Sequence, residues 1–371
     1  MKSVGILTMH RVINYGSVLQ AYATQKIVEN LGYEVTIIDY VYPNKFHLPP
    51  SKMTLRSILS KIYHLIFPSF EDKKKKRILD FCKVNLNLTQ EYKTKDDLFK
   101  KYPFYDIYLV GSDQVWNPIH MKGDETFLLG FIPNNKKKIS FSSSFAVKEI
   151  PNEYFNKYKV LLEQFNHISV RENNGKEIIN KLLGITVPVT LDPTLMLNNK
   201  EWKILTSLYK NKIKEKGYIL LYMLDYAFKV TPYIYDLVFD LQKKTGLHIY
   251  SFTKLPPIYK NRNVTYIIDA SPIDFLQAFE NASFVVTSSF HGTAFALNFG
   301  KPLCSVVSEK SSIDDRQTSL LSSLGLHKCI FKVKDSFCNP EDIIYDRSII
   351  NNKLDERRKD SLDYLLKALK N

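Results

Sequence analysis

The stretch Ser283–Leu297 reads Ser-Phe-Val-Val-Thr-Ser-Ser-Phe-His-Gly-Thr-Ala-Phe-Ala-Leu, and its reading decides the fold. Phe284–Val286 is an apolar run of the kind that forms a buried strand. It stops at three small hydroxyl residues, Thr287, Ser288 and Ser289. His291-Gly292-Thr293 then opens a second apolar run of helical composition. The pattern is strand, tight turn, helix, with one histidine at the turn. In an open α/β sheet, ligands bind outside the carboxyl ends of the strands. A histidine there lies beside the unpaired N–H groups of a helix N-terminus, a setting that suits an anion and a proton-transfer group. It also fits a histidine that only caps a helix.

The same alternation extends in both directions. Strands are expected at Val4–Met9, Glu34–Tyr40, Tyr105–Gly111, Lys138–Phe145 and His167–Val170, with a helix over Gly16–Leu31 ended by Gly32. The pattern restarts after about residue 185. Strands follow at Val187–Leu191, Tyr218–Leu224, His248–Phe252, Val264–Ile268, Phe284–Val286 and Leu303–Val307, with helices over Thr231–Lys244, Pro272–Asn281 and Thr293–Phe299. Such alternation argues an α/β protein with parallel sheets and helices on both faces. At 371 residues the chain is too long for one core. We expect a first domain at 1–170, a second carrying the histidine at 171–340, and a helical tail at 341–371 that crosses back to the first.

Composition is that of a globular protein, 44% hydrophobic and 24% charged. No apolar run approaches the ~18 residues of a membrane span. The apolar start before His10 and Arg11 is too short for a signal peptide and lacks a cleavage site. Cys82, Cys304, Cys329 and Cys338 show no metal-ligand spacing and read as reduced thiols of a cytoplasmic protein, so no metal is expected. The net charge is +14, and 14 Lys/Arg against 6 Asp/Glu between Lys45 and Pro103 put +8 of it into a basic insertion at 45–103. Its centre is Lys73-Lys74-Lys75-Lys76-Arg77, preceded by a helically spaced apolar set over Leu55–Phe67. A basic amphipathic helix fits a peripheral contact with the inner face of a membrane, and equally a solvated helix face. No nucleic-acid-binding motif accompanies the charge.

Several strand ends carry polar residues. Asn14-Tyr15-Gly16-Ser17 precedes a helix, where Asn14 and Ser17 suit capping and Gly16 admits a close approach. It reads as an anion cradle or an ordinary N-cap. Gly111-Ser112-Asp113-Gln114-Val115-Trp116-Asn117 combines a Trp with four polar side chains, which suits a sugar through ring stacking and hydroxyl hydrogen bonds. It also fits a rigid loop bonded to its own backbone. Ser169-Val170-Arg171-Glu172 puts an arginine at a strand end, fit for a carboxylate or phosphate or for a structural ion pair. In Asp192-Pro193-Thr194 the proline fixes the turn, and Asp192 reads as structural rather than catalytic.

Together these segments resemble the polysaccharide pyruvyl transferases: Asn14–Ala21, Gly111–Asn117, Ser169–Glu172, Leu191–Thr194 and Thr287–Ala294 fall in that family's order. The resemblance implies two Rossmann-like domains facing a cleft, as in GT-B enzymes. It implies transfer of the pyruvyl group of phosphoenolpyruvate to saccharide hydroxyls, forming a ketal, in cell-surface polysaccharide biosynthesis, and it implies no cofactor. His291 then corresponds to the catalytic histidine and Arg171 to a donor contact. Ser289, Gly292, Thr293, Asn14, Gly16, Ser17 and Arg316 are the further expected donor contacts. Ser112, Asp113, Gln114, Trp116 and Asn117 fall on the acceptor side, and the acceptor is expected to be lipid-linked. Some members carry an arginine where this chain has Ser289, and Arg316 and Lys301 are the nearest cations in sequence to replace it. A nucleotide-sugar glycosyltransferase, or a non-catalytic carbohydrate-binding relative, would share the fold.

Overall fold

The computed structural model describes residues 1–42, 69–210, 213–225, 228–259, 262–310 and 313–370. The amphipathic helix expected over 55–67 falls outside them. The principal elements of the first half are β1 (Ser3–Leu7), α1 (Tyr15–Asn30), β2 (Glu34–Ile37), α2 (Phe70–Asn85), β3 (Ile107–Val110), β4 (Lys137–Ser140), α3 (Asn152–Leu162) and α4 (Asn173–Leu183). Those of the second half are β5 (Ile219–Tyr222), α5 (Tyr233–Thr245), β6 (Ile249–Ser251), β7 (Val264–Tyr266), α6 (Pro272–Asn281), β8 (Phe284–Thr287), α7 (Phe290–Asn298), β9 (Leu303–Val307), α8 (Arg316–Ser323) and β10 (Ile330–Lys332). The long helix α9 (Arg347–Lys370) closes the chain.

Both sheets are parallel. The first runs β2-β1-β3-β4 and the second β10-β9-β8-β5-β6-β7. Numbered from β5, the second order is the 3-2-1-4-5-6 of a dinucleotide-binding fold. The expected strands at His167–Val170 and Val187–Leu191 are reduced to isolated bridges, Ile139 to His167, Ser143 to Val170 and Val170 to Val189, which continue the first sheet past β4. Ile178, Ile179, Leu182 and Val187 belong to the core of this first sheet. Residues up to Val189 therefore pair and pack with the first sheet.

The chain order reverses between β1 and β3 in one sheet and between β5 and β8 in the other. At such switch points neighbouring crossovers leave in opposite directions and open a crevice. The segments that follow β3 and β8 are Gly111–Asn117 and Ser288–Thr293, so topology alone brings both motifs to crevices.

The two halves share one core. Tyr15, the first residue of α1, stacks on Phe275 of α6 with centroids 4.8 Å apart and donates its hydroxyl to the Ala270 carbonyl at 3.1 Å. Burying such a ring stabilises by roughly 1.5–3 kcal/mol. The capping box of Ser271 with Asp274, and Pro272 in the first turn, start α6 where this contact needs it. From α9, Tyr364 donates to the Ser140 carbonyl at 2.8 Å, and the Leu369 carbonyl accepts from Lys137 at 2.9 Å. The last helix thus leans on the first sheet. Among the described residues no helix is long and apolar enough to cross a membrane.

The basic cluster is divided by the fold. Ser69 and Asp72 form a capping box that starts α2, and Lys74 lies over the Tyr15 ring at 4.5 Å. Arg77 pairs with Asp269 at 3.2 Å. Lys73, Lys75 and Lys76 remain exposed. Of the five cations, Arg77 thus joins the halves of the molecule and Lys74 is taken up within the first half, so neither belongs to a free basic surface.

Candidate active site

His291 lies in the first turn of α7, two residues after its N-cap. The sequence reading starts this helix at Thr293. The earlier start follows from Ser289, whose hydroxyl accepts from the Gly292 N–H at 3.4 Å and caps the helix. A Cβ on Gly292 would come 2.2 Å from Thr287 Oγ1, so only glycine lets α7 turn this tightly off β8. The Thr293 hydroxyl is used internally, by Ser305 at 2.7 Å and the Ser289 carbonyl. Ser289 and Thr293 thus place the histidine, and the Thr293 hydroxyl is committed within the second domain.

The imidazole is 4% exposed, and its Nε2 has no hydrogen-bond partner. Its nearest charged neighbour is Asp192 Oδ2 at 3.7 Å, an ion-pair contact longer than a hydrogen bond. On its other side lies the first domain. A Cβ on Gly16 would stand 2.2 Å from His291 Cγ. Gly16 is the second residue of α1, so the helix N-termini of the two domains meet at this ring. Asn14 caps α1, accepting from Gly16 N–H at 2.9 Å and Ser17 N–H at 3.4 Å. These donors are occupied, which makes Asn14 an N-cap and not an open anion cradle.

Asp192 is the hub of the site. Its Oδ2 accepts from Arg171 Nη1 at 2.8 Å and from Ser112 Oγ at 2.9 Å, and its Oδ1 from the N–H and hydroxyl of Thr194. Burial pushes its pKa up, but His291, Arg171 and Thr194 outweigh burial and hold it well below the carboxylate range. Asp113, at positive φ after β3, accepts from Ser17 at 2.5 Å and lies 3.5 Å from Arg171 Nη2. Burial raises its pKa as well, and His291, Arg171 and Ser17 bring it below its ordinary value. The Arg171 guanidinium therefore serves two carboxylates and lies over the Phe290 ring at 4.4 Å. Only its buried Nε is without a partner.

The remaining expected residues divide. Arg316 also approaches Phe290, at 6.0 Å, but holds Asp314 through two hydrogen bonds of 2.7 and 2.6 Å. Gln114 lies between Asn117 and Arg316, and in the orientation that accepts from Arg316 it does so at 2.9 Å. Lys301 points elsewhere: its ammonium donates to the Glu280 carbonyl, and burial, helped by Arg347 and Lys203, brings its pKa down to about 8. Two acceptor expectations are corrected. Trp116 is fully buried, donates its indole N–H to the Phe127 carbonyl at 3.0 Å and packs on Phe145 and Phe165, which leaves no ring face for a sugar. Asn117 caps the short helix Pro118–Met121. From that loop, Ser112 and Asp113 reach the histidine's surroundings. Asp192, read from sequence as structural, is central, and its Asp-Pro-Thr strand end was the available signal. Among the described residues no three His, Cys, Asp or Glu side chains gather as a metal site.

Comparison with known proteins gives the family and the fold. The family model described as polysaccharide pyruvyl transferase matches residues 14–310. A search of curated proteins found no match. Among solved structures, a putative UDP-N-acetylglucosamine 2-epimerase from Listeria monocytogenes is similar with a TM-score of 0.51 and 14% identity, covering 99% of this chain and 91% of that one. Arabidopsis thaliana UGT89C1 complexed with UDP is similar with a TM-score of 0.50 and 9% identity, covering 99% of both chains. At such identities the likeness concerns the fold, a GT-B-like pair of Rossmann-like domains.

Proposed function

The chain belongs to the polysaccharide pyruvyl transferase family, and from that premise we propose that it moves the pyruvyl group of phosphoenolpyruvate onto two hydroxyls of a saccharide, closing a ketal. The observation that carries this reading is His291: a buried imidazole with an unused Nε2, facing Asp192, where both domains converge. The chemistry needs one group that moves protons. A sugar hydroxyl attacks C2 of the enol while C3 takes a proton and becomes a methyl group. A second hydroxyl then displaces phosphate from C2. Two C–O bonds form and one breaks, and of the two hydroxyl protons one ends on C3 and the other on phosphate. His291 takes the first proton from oxygen and returns it to carbon, work that typically contributes 10²–10⁴-fold. Asp192 orients the ring and balances its charge in the protonated interval. Arg171 holds Asp192 and Asp113 in place and turns its free Nε to the donor. No cofactor enters this scheme.

The acceptor we propose is a lipid-linked saccharide at the cytoplasmic face of the membrane. Support comes from the exposed Lys73, Lys75 and Lys76, each worth up to about 1 kcal/mol near an anionic surface. Changing these three to Gln should abolish co-sedimentation with anionic vesicles at low salt; retained binding removes the membrane contact and leaves the transfer reaction standing. The reaction itself is tested by mass spectrometry of lipid-linked oligosaccharides incubated with phosphoenolpyruvate. A pyruvyl ketal on the glycan, with release of phosphate, is expected. An unchanged glycan mass across a range of acceptors argues against it.

A further inference from the structure

A cavity of about 80 Å³ opens beside the hub, between the first sheet's edge, α7, α8 and α9. Its wall includes Arg171, Asp192, Phe290, Ser319, Ser323 and Arg357. Such a volume holds several waters, each needing about 10–15 Å³ by this kind of measure, or one small anion. It is far smaller than the clefts that enclose nucleotide-sized ligands.

Its charges do not cancel. Asp192 on the wall already accepts from Arg171, Ser112 and Thr194. Arg171 has spent both terminal nitrogens on carboxylates, and its buried Nε is left without an acceptor, a costly condition that a ligand would relieve. Arg357 reaches the cavity from the C-terminal helix. It donates to Ser323 Oγ, and among the described residues no carboxylate lies within ion-pair distance of it. Burial lowers its pKa, with only Asp360 opposing. The other cations considered for the site are committed, Arg316 to Asp314 and Lys301 to the Glu280 carbonyl. The cavity is thus lined by two guanidiniums against one saturated carboxylate.

We propose that Arg357 is the second cation of the donor site, and that the donor's phosphate group sits in this cavity between Arg357 and Arg171 Nε with the Ser323 hydroxyl beside it. This rests on the phosphoenolpyruvate reading above. Asp192 belongs both to the cavity wall and to the surroundings of His291, so an anion held here brings the attached enol toward the imidazole. A planar fork at 357 also suits a phosphate better than a point charge would.

The test is calorimetric titration of the full chain with inorganic phosphate and, separately, with phosphoenolpyruvate. It compares wild type, Arg357→Gln, Arg357→Lys and Ser323→Asp. The last variant supplies Arg357 with a carboxylate and so guards against a loss of folding being read as a loss of binding. Wild type is expected to bind both ligands. Arg357→Gln and Ser323→Asp should each weaken both by about tenfold or more, the effect of losing one charge-assisted contact, and Arg357→Lys should restore part of the affinity. Unweakened binding in Ser323→Asp and in folded Arg357→Gln overturns the assignment of Arg357 and leaves the pyruvyl donor reading intact. Phosphate bound in an Arg357-dependent way, with no affinity for phosphoenolpyruvate, upholds the cavity and sinks the donor reading. Wild type binding neither ligand overturns both.

Discussion

The two helix N-termini that meet at the centre of this molecule are built alike and used differently. Each follows a parallel strand, and each is capped by a side chain, Asn14 for α1 and Ser289 for α7. Yet α1 presents an absent side chain, at Gly16, and α7 presents an imidazole, at His291. A single turn of helix serves as a socket in one domain and as a tool in the other. Asn14 takes up the Gly16 and Ser17 N–H groups at α1, Ser289 takes up the Gly292 N–H at α7, and a helix terminus carries only a partial charge. The charge for a donor must come from side chains, which is why the arginines around Asp192 decide how the site binds.

That contrast can be broken at either end. The largest effect is expected on the tool side: His291→Ala should lower turnover by about 10²-fold or more, with donor affinity changed much less. Turnover within tenfold of wild type would remove His291 from its role. The next effect is on the socket side. In Gly16→Ala the added methyl would stand 2.2 Å from the imidazole, so ring or domain must shift. Displacements of about 1 Å cost up to 10²-fold in rate, and overpacking costs about 1–3 kcal/mol of stability. Steady-state rates and a melting curve of this variant read both. Full activity would show that the two helices need not touch for catalysis. The smallest effect belongs to the caps. Asn14→Ala should cost about 1 kcal/mol of stability in denaturant unfolding, with little change in donor affinity, since the Asn14 carbonyl oxygen already occupies the N–H groups a ligand would need. A large loss of donor affinity at unchanged stability would restore the cradle reading.

Much of this was legible in the sequence because it depends on local pattern. The apolar runs located β1, β3, β5 and β8, and the histidine after β8 stood out as a polar group at a strand end. What stayed hidden depends on contacts between distant segments. Nothing local tells whether Trp116 turns its face to a cleft or to Phe145 and Phe165. Asp192 reads as a turn residue until Arg171, Ser112 and His291 converge on it. Arg357 is one of many charges on a polar helix, and only the path of α9 back to the first sheet brings it to the cavity. The strand expected at Val187–Leu191 came out as a single bridge, because only Val189 of that run pairs with the sheet's edge.

Phosphoenolpyruvate, and not a nucleotide sugar, is the donor we propose. Parallel titrations of the wild-type protein with phosphoenolpyruvate and with UDP address it most directly. Saturable binding of phosphoenolpyruvate is expected, weakened in Arg171→Lys because the ammonium keeps the charge and loses the fork, with no comparable binding of UDP. Tight binding of UDP with none of phosphoenolpyruvate would contradict it.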